Sequence, residues 1–539
     1  MLQFSGGIDM KRNKLWLALL LSFVVAVVSA CGGSQTPAPD SASGTDTGGE
    51  PKSGGSIIIA VQEDPRVMNP IYAGDRVTLT INQSLFAPLY HIDNGEKKFV
   101  LAESLTPSED SLTYTLKLRQ GLKWHDGQPL TADDVVFTMN SILDEKQHSS
   151  DRATYLFNSK PLMAKKVDDL TVEFVLPQPS ASFEGVLANF KPIPKHVFEG
   201  EADLEKSSKN DHPIGSGPFK FKEYRAGEYV TLDRFDDYFA GKAYLDSVTY
   251  RVAKDSNAAN LALQNGELQM RMVDSVDYAK LDNTGKFNLV TYPEGRLIYM
   301  VFNQNVDVMK KKEVRQAIAY ALNKKEIITA AFGSTEFAEP AASIFTPDTL
   351  YQTTDVATYD YNIEKAKELL QQAGVSNLKL RLAYVNSNKP QTSKALYIQQ
   401  QLKEVGIDVE LMALDIAAFG NMSLDMNNTS YDISFGGYIM GYEPDAYKSL
   451  YMSDAAYNYA HYKNPDFDAL WNQAAVEMDK TKRSELYEQI QKTIADEMNV
   501  YPIAYGKAIV AVDKRYGGLE EAVPKPVVMF EDLSKIYVK

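Results

Sequence analysis

The chain has 539 residues, with 56 Lys and Arg against 71 Asp and Glu and a formal charge of −15. Such acidity argues against nucleic acid or anionic lipid as a partner of the folded body, because both demand clustered Lys and Arg. A single cysteine leaves no disulfide to form within the chain, so a core must hold the fold, and the length suggests about two or three domains.

The first segment is a leader pattern. Met10-Lys11-Arg12-Asn13-Lys14 is a basic cap, Met10 is an alternative start to Met1, and Leu15 to Val28 is apolar. That run has the length of a signal-peptide core and is short for a membrane span. It ends at Val28-Ser29-Ala30-Cys31, which resembles a bacterial lipobox, where the thiol is acylated and residues 1–30 are removed. Removal takes away three bases and one acid and leaves the body near −17. Residues 32–54, rich in Gly, Ser, Thr and Pro, cannot bury a core and read as a flexible tether. The expectation is a lipid-anchored protein on the extracytoplasmic face of the cell membrane.

The body opens with Ser56-Ile57-Ile58-Ile59-Ala60-Val61, a β-branched run that predicts a buried strand. After the Asp64-Pro65 and Asn69-Pro70 loops, Val77 to Tyr90 predicts a helix burying Leu79, Ile81, Leu85 and Phe86. Leu112 to Leu118 alternates apolar and polar residues as a half-buried strand does. It leads through a turn at Trp124-His125-Asp126-Gly127 to a helix opened by Thr131 as N-cap, with Asp133 and Asp134 in its first turn. The turn reads better as packing of Trp124 than as a catalytic site. Gly215-Ser216-Gly217 lacks the spacing of a nucleophile elbow or a dinucleotide loop and predicts a tight crossing between lobes, where bulky side chains would clash. Between 361 and 414 the pattern is helix Tyr361 to Ala373, strand Leu378 to Val385, helix Thr392 to Val405 and strand Ile407 to Leu414. A strand-helix-strand unit implies a parallel α/β lobe, with ligand-facing loops after Val385 and Leu414. Tyr431 to Tyr438 reads as a further strand.

Several segments together resemble the extracellular solute-binding proteins of oligopeptide and dipeptide ABC importers. They are Gly121-Leu122-Lys123-Trp124-His125-Asp126-Gly127, Pro192-Ile193-Pro194-Lys195-His196, Pro213-Ile214-Gly215-Ser216-Gly217-Pro218-Phe219, Tyr238-Phe239-Ala240-Gly241-Lys242 and Val314-Arg315-Gln316-Ala317-Ile318. The resemblance implies an α/β, two-lobed periplasmic-binding-protein-like fold with an extra inserted domain and a hinged cleft. It implies lobe I from 55–97, 213–296 and 505–539, an inserted domain at 98–212, and lobe II at 297–504. It also implies a monomer that captures oligopeptides without enzymatic turnover and delivers them to ABC-transporter permease subunits. Other readings within the fold are an oligosaccharide, a nickel chelate, haem or a peptide signal; outside it, a tethered secreted hydrolase.

The site residues follow from the same resemblance. Gly74, Asp75 and Arg76 lie at the spacing of a peptide-contacting loop in relatives, with a plain surface loop as the alternative. In the far lobe the candidates are Tyr438, Tyr442, Glu443 and Asp445, where relatives carry a Gly-Trp strand end and an Asp-Pro step. The two carboxylates are candidate acceptors for a peptide amine and, equally, caps for the next helix. Six scattered histidines show no zinc-helix spacing, so no metal or cofactor is expected, and adjacent pairs such as Asp133-Asp134 make poor acid/base partners because neighbouring side chains diverge.

Overall fold

The computed structural model describes residues 51–93 and 95–539. The leader, Cys31 and residues 32–50 lie outside the described residues. Ordered pairing begins at Lys52, which bridges to Val538, and at Gly54, whose N–H donates to the Tyr244 carbonyl at 2.7 Å. The last residues assigned to the tether are therefore already tied to the body. Among the described residues no helix is long and apolar enough to cross a membrane.

An eleven-stranded mixed sheet organises the molecule. Its centre is an antiparallel pair of long strands, Phe287–Phe302 and Val500–Asp513. Sixteen residues of strand reach about 53 Å, enough to run through both halves of the protein. At one end Val500–Asp513 pairs with Met270–Met272, followed by the parallel strands Ser56–Val61 and Ser247–Val252 and the hairpin Phe219–Arg225 and Tyr229–Arg234. At the other end Phe287–Phe302 pairs with Ile433–Ile439, followed by Leu378–Val385 and Ile407–Leu414. The register of the long pair breaks between Pro293 and Arg296, where the strand passes from one group to the other.

The period of two along Phe287–Phe302 builds the second half. Met300 and Phe302 enter a core with the helices Lys312–Tyr320, Lys324–Phe332, Ile363–Gln372 and Lys389–Lys403. Leu297, Tyr299 and Val301 enter the opposite core, under the helices Pro465–Val476 and Lys480–Glu497. This is a helix-sheet-helix layering. In the first half, one continuous core joins the strand Ser56–Val61 to the four-stranded antiparallel sheet of Ala102–Pro107, Thr113–Leu118, Thr171–Val175 and Met163–Asp168, with the helix Ala132–Leu143 packed on it. Burying Ile57, Ile59 and Val61 on that side, and packing Ile58 and Ala60 against a small core with Leu263 and Leu281, explains the uninterrupted apolar run.

Most expected elements are present. Leu378–Val385 and Ile407–Leu414 pair in parallel from Leu378 with Ile407 to Val385 with Leu414. Thr131 caps the helix Ala132–Leu143 in a capping box with Asp134. The helix expected over Val77 to Tyr90 spans only Arg76–Leu85. Pro88 cannot enter a helix without clashing with the carbonyl one turn back, and Ala87 before it is driven to extended backbone. Tyr90 instead begins a strand, Tyr90–Asp93, that forms a hairpin with Glu96–Phe99.

Trp124 is fully buried in the first core, and its neighbour His125 ties down the glycine crossing. The Gly215 N–H donates to His125 Nδ1 at 3.1 Å, so Nε2 carries the proton and donates to the Gly217 carbonyl at 3.0 Å. Burial lowers the His125 pKa to about 4, and the neutral ring fits this role. The crossing is tight as expected but lies within the first half and not between the lobes, against the end of the helix Arg76–Leu85: a Cβ on Gly215 or Gly217 would overlap the backbone carbonyls of Ser84 and Leu85. Gly217→Ala is expected to destabilise the protein by about 3 kcal/mol through this overlap; unchanged thermal unfolding would show that the crossing has slack.

Candidate ligand cleft

The two halves face each other across the break in the crossing strands. Gly295, at φ +67°, makes that break: its carbonyl accepts from the Met440 N–H at 2.7 Å, and a Cβ there would lie 2.7 Å from the Met440 carbonyl oxygen. Ile433–Ile439 runs parallel to Leu378–Val385 and ends beside Arg296, so the carboxyl ends of the parallel strands point toward the first half, as expected for a ligand-facing edge.

The strand end carries Tyr438, which is 37% exposed and meets the Tyr447 ring edge-on at 5.9 Å. Tyr447 fastens the turn by hydrogen bonds to the N–H and carbonyl of Gly441. Tyr442 reaches across to the first half, where a Cβ on Gly95 would lie 3.2 Å from its hydroxyl. Gly95 sits at the tip of the hairpin Tyr90–Asp93 and Glu96–Phe99 and at φ +80°.

Glu443 is buried and ion-paired with Arg483, itself buried on the helix Lys480–Glu497. The Arg483 guanidinium also donates from Nε to the Ala474 carbonyl at 3.0 Å and lies 5.6 and 5.3 Å from the rings of Tyr351 and Tyr487. Burial raises the Glu443 pKa and the guanidinium opposes that rise. Glu443 also accepts from the Asp445 N–H at 3.4 Å and caps the short helix Pro444–Tyr447. Asp445 is buried, with Oδ2 3.2 Å from Lys448 Nζ and Oδ1 lacking a hydrogen-bond partner.

The first half closes over this loop. A Cβ on Gly185 would lie 3.0 Å from Glu443 Cβ, the Ala181 N–H donates to the Ala475 carbonyl at 3.4 Å, and Arg483 donates to the Ala181 carbonyl at 3.5 Å. Of the first-half candidates, Gly74 has open space around it, while Asp75 caps the helix Arg76–Leu85, accepting from the Thr78 N–H at 2.9 Å. Arg76 pairs with Glu294 at 2.6 Å, and Arg296 pairs with the same carboxylate at 2.9 Å. The structure therefore brings Tyr438, Tyr442, Glu443 and Asp445 onto one loop and places Arg76 at the strand break. Sequence reading missed Arg483, Glu294, Gly95 and Gly185. Arg483 stands in Lys480-Thr481-Lys482-Arg483, which resembles a solvated basic run, but its spacing to Tyr487, Ile490 and Ile494 puts it on the buried face.

With this geometry in view, the comparisons identify the lineage. Residues 98–460 match the family described as bacterial extracellular solute-binding proteins, family 5 middle. The chain belongs to that family. It is 32% identical over 515 residues to the oligopeptide-binding protein AppA of Bacillus subtilis (strain 168), covering 90% of this chain and 93% of that protein. Among solved structures, the ABC-transporter substrate-binding protein CtaP of Listeria monocytogenes is 54% identical, with a TM-score of 0.89 over 90% of this chain and all of that one. The Bacillus subtilis AppA structure in complex with a nonapeptide is 30% identical, with a TM-score of 0.75 over 91% of this chain and all of that one. This family 5 protein thus has the two-lobed α/β fold of its relatives.

Two outcomes follow from the charges in the cleft. Glu443→Ala leaves Arg483 buried without its partner and is expected to cost about 3–5 kcal/mol. Replacing both residues, Glu443→Leu with Arg483→Met, is expected to cost far less in the same denaturant titration; equal losses would remove the ion pair as the cause. Burial acts to raise the Glu294 pKa, but Arg296 and Arg76 outweigh it and the net value lies below the ordinary 4.5. Its contribution to stability is present above that ordinary value and is lost as pH falls below it. Glu294→Gln should flatten the acid limb of the stability profile, and an unchanged profile would contradict this.

Proposed function

We propose that this protein is a lipid-anchored receptor on the extracytoplasmic face of the membrane, which captures oligopeptides between its lobes and delivers them to an ABC importer. The observation that carries this reading is end-to-end similarity to a protein solved with a nonapeptide in its grasp, coupled with a cleft loop that here touches both halves. In this reading lobe I comprises 55–97, 213–296 and 505–539, residues 98–212 are inserted on its side, and 297–504 form lobe II. The hinge lies at the Pro293–Arg296 break.

Closure favours the ligand because some contacts exist only when the lobes meet. Peptide backbone would be held by strand-like hydrogen bonds, which tolerate varied side chains. Tyr438 and Tyr442 offer aromatic surface to the ligand. Asp445, with one unpartnered carboxylate oxygen, is the acceptor for a peptide amine, and Glu443 holds the loop in place through Arg483. Gly74, Asp75 and Arg76 shape the lobe I side, Arg76 through Glu294. The protein acts as a monomer, binds without turnover and needs no cofactor.

Native mass spectrometry of the purified protein, followed by sequencing of what denaturation releases, tests the ligand class. Peptides of a common length window are expected; a single sugar, metal chelate or haem would overturn the peptide assignment, and hydrolysed fragments would overturn the receptor. Asp445→Asn is expected to weaken free-amine peptides about tenfold, roughly the 1.4 kcal/mol of one charge-assisted hydrogen bond, and to spare N-acetylated ones. Cys31→Ser is expected to release the protein into the medium; retention would make the leader itself the anchor.

A further inference from the structure

A group of ionisable side chains in the first half plays no part in the loop already described. Lys191 Nζ donates to Gln83 Oε1 at 2.8 Å and lies 3.5 Å from the Asn82 carbonyl, both on the helix Arg76–Leu85. The Gln83 amide donates in turn to the Glu531 carbonyl at 2.8 Å. The Glu531 carboxylate is shared by His91 Nδ1, at 2.8 Å, and by Lys525. Among the described residues no carboxylate forms an ion pair with Lys191. The Glu531 carboxylate is thus taken up by one ammonium and one imidazole, and the second ammonium, Lys191, is left with neutral oxygens alone. Lys191 is half-buried, and a partly desolvated cation without a counter-charge is costly and marks a function more often than a stabilising contact. Asn82, 1% exposed, has neither side-chain amide atom hydrogen-bonded.

The cluster lies on the wall that faces lobe II. His91 belongs to the hairpin whose tip, Gly95, meets Tyr442. Lys525 belongs to the hairpin Pro524–Lys525 and Met529–Phe530, whose Pro526 packs against Gly295 at the strand break. That second hairpin is strained. Val523, Val527 and Met529 have φ of +53°, +70° and +70°. Positive φ is rare for a β-branched residue, and such strain collects at ligand clamps. Arg76 reaches the same hairpin, 3.5 Å from the Val527 carbonyl.

We infer that Lys191, backed by Lys525 and His91, forms a subsite on the lobe I wall that receives a carboxylate of the bound peptide, an inference that rests on the peptide-receptor reading. The incoming carboxylate supplies the missing counter-charge to Lys191, while Glu531 remains occupied by Lys525 and His91. The Lys191 pKa agrees with an unsatisfied cation: desolvation first and Lys525 second, against the opposing pull of Glu531, lower it to about 7. The carboxylate comes from the peptide's C-terminus or from an acidic side chain, and the experiment separates the two.

Calorimetry is performed with three forms of one peptide that co-purifies with the protein: free C-terminal acid, C-terminal amide, and amide with one Glu added. Wild type is expected to bind the acid at least tenfold more tightly than the amide, and Lys191→Met to abolish that ratio by weakening the acid alone. Restoration of affinity by the added Glu, again only with Lys191 present, would assign the subsite to acidic side chains. Lys191→Met is also expected to raise the melting temperature of the ligand-free protein, since it removes an unpaired, half-buried charge. An acid-to-amide ratio near one on wild type, with and without the added Glu, would overturn the subsite without any substitution and leave peptide binding standing. Failure of every peptide to bind would overturn the receptor reading and the subsite with it.

Discussion

Both halves of the molecule hang on one antiparallel strand pair. Phe287–Phe302 and Val500–Asp513 each contribute one segment to the sheet of either half, so neither half completes its sheet without them. A ladder of that length is stiff where it is regular. It is interrupted between Pro293 and Arg296, where Gly295 adopts a backbone conformation that side chains disfavour and Arg76 and Arg296 gather around the Glu294 carboxylate. Beyond the break on either side, tight cores bind the strands to their own helices. In the proposed reading, bending is concentrated at this place, and the cleft is the space that such bending opens and closes.

In the loop from Tyr438 to Tyr447 one carboxylate already has work inside the fold. A carboxylate facing a cleft suggests capture of an amine, yet Glu443 already has a guanidinium partner from its own half. Taking both charges out of water is expensive, and their attraction repays that cost only with good geometry and further hydrogen bonds. Arg483 has those in Ala474 and Ala181 and in the rings of Tyr351 and Tyr487. Because Ala181 and Gly185 come from the opposite half, the surroundings of this pair depend on how the halves meet. Loop order and the meeting of the halves share one set of contacts.

Strands and parallel connections were readable because burial imposes a period on them. Leu378–Val385 and Ile407–Leu414 appear with the bounds their patterns predict, and Gly215 and Gly217 mark a crossing that only backbone fits. The helix from Arg76 was drawn too long because apolar spacing continues past the point where Pro88 forbids it. The site was less legible. Arg483 looks like one more base in a charged run, and Glu294 like an ordinary strand residue. Their significance lies in contacts to residues 40 and 218 positions away, and no local pattern encodes those. Lys191 sits in Phe190-Lys191-Pro192, where nothing announces a cation that the fold leaves without a carboxylate.

A peptide that holds the two halves together about the Pro293–Arg296 break must compact the molecule when it binds. Small-angle scattering of the purified protein, stripped of ligand and then titrated with the peptides it releases, tests this directly. The account predicts a smaller radius of gyration at saturation, reached at one peptide per chain. Stoichiometric binding with an unchanged radius would contradict it, because the ligand would then be held without bringing the halves together.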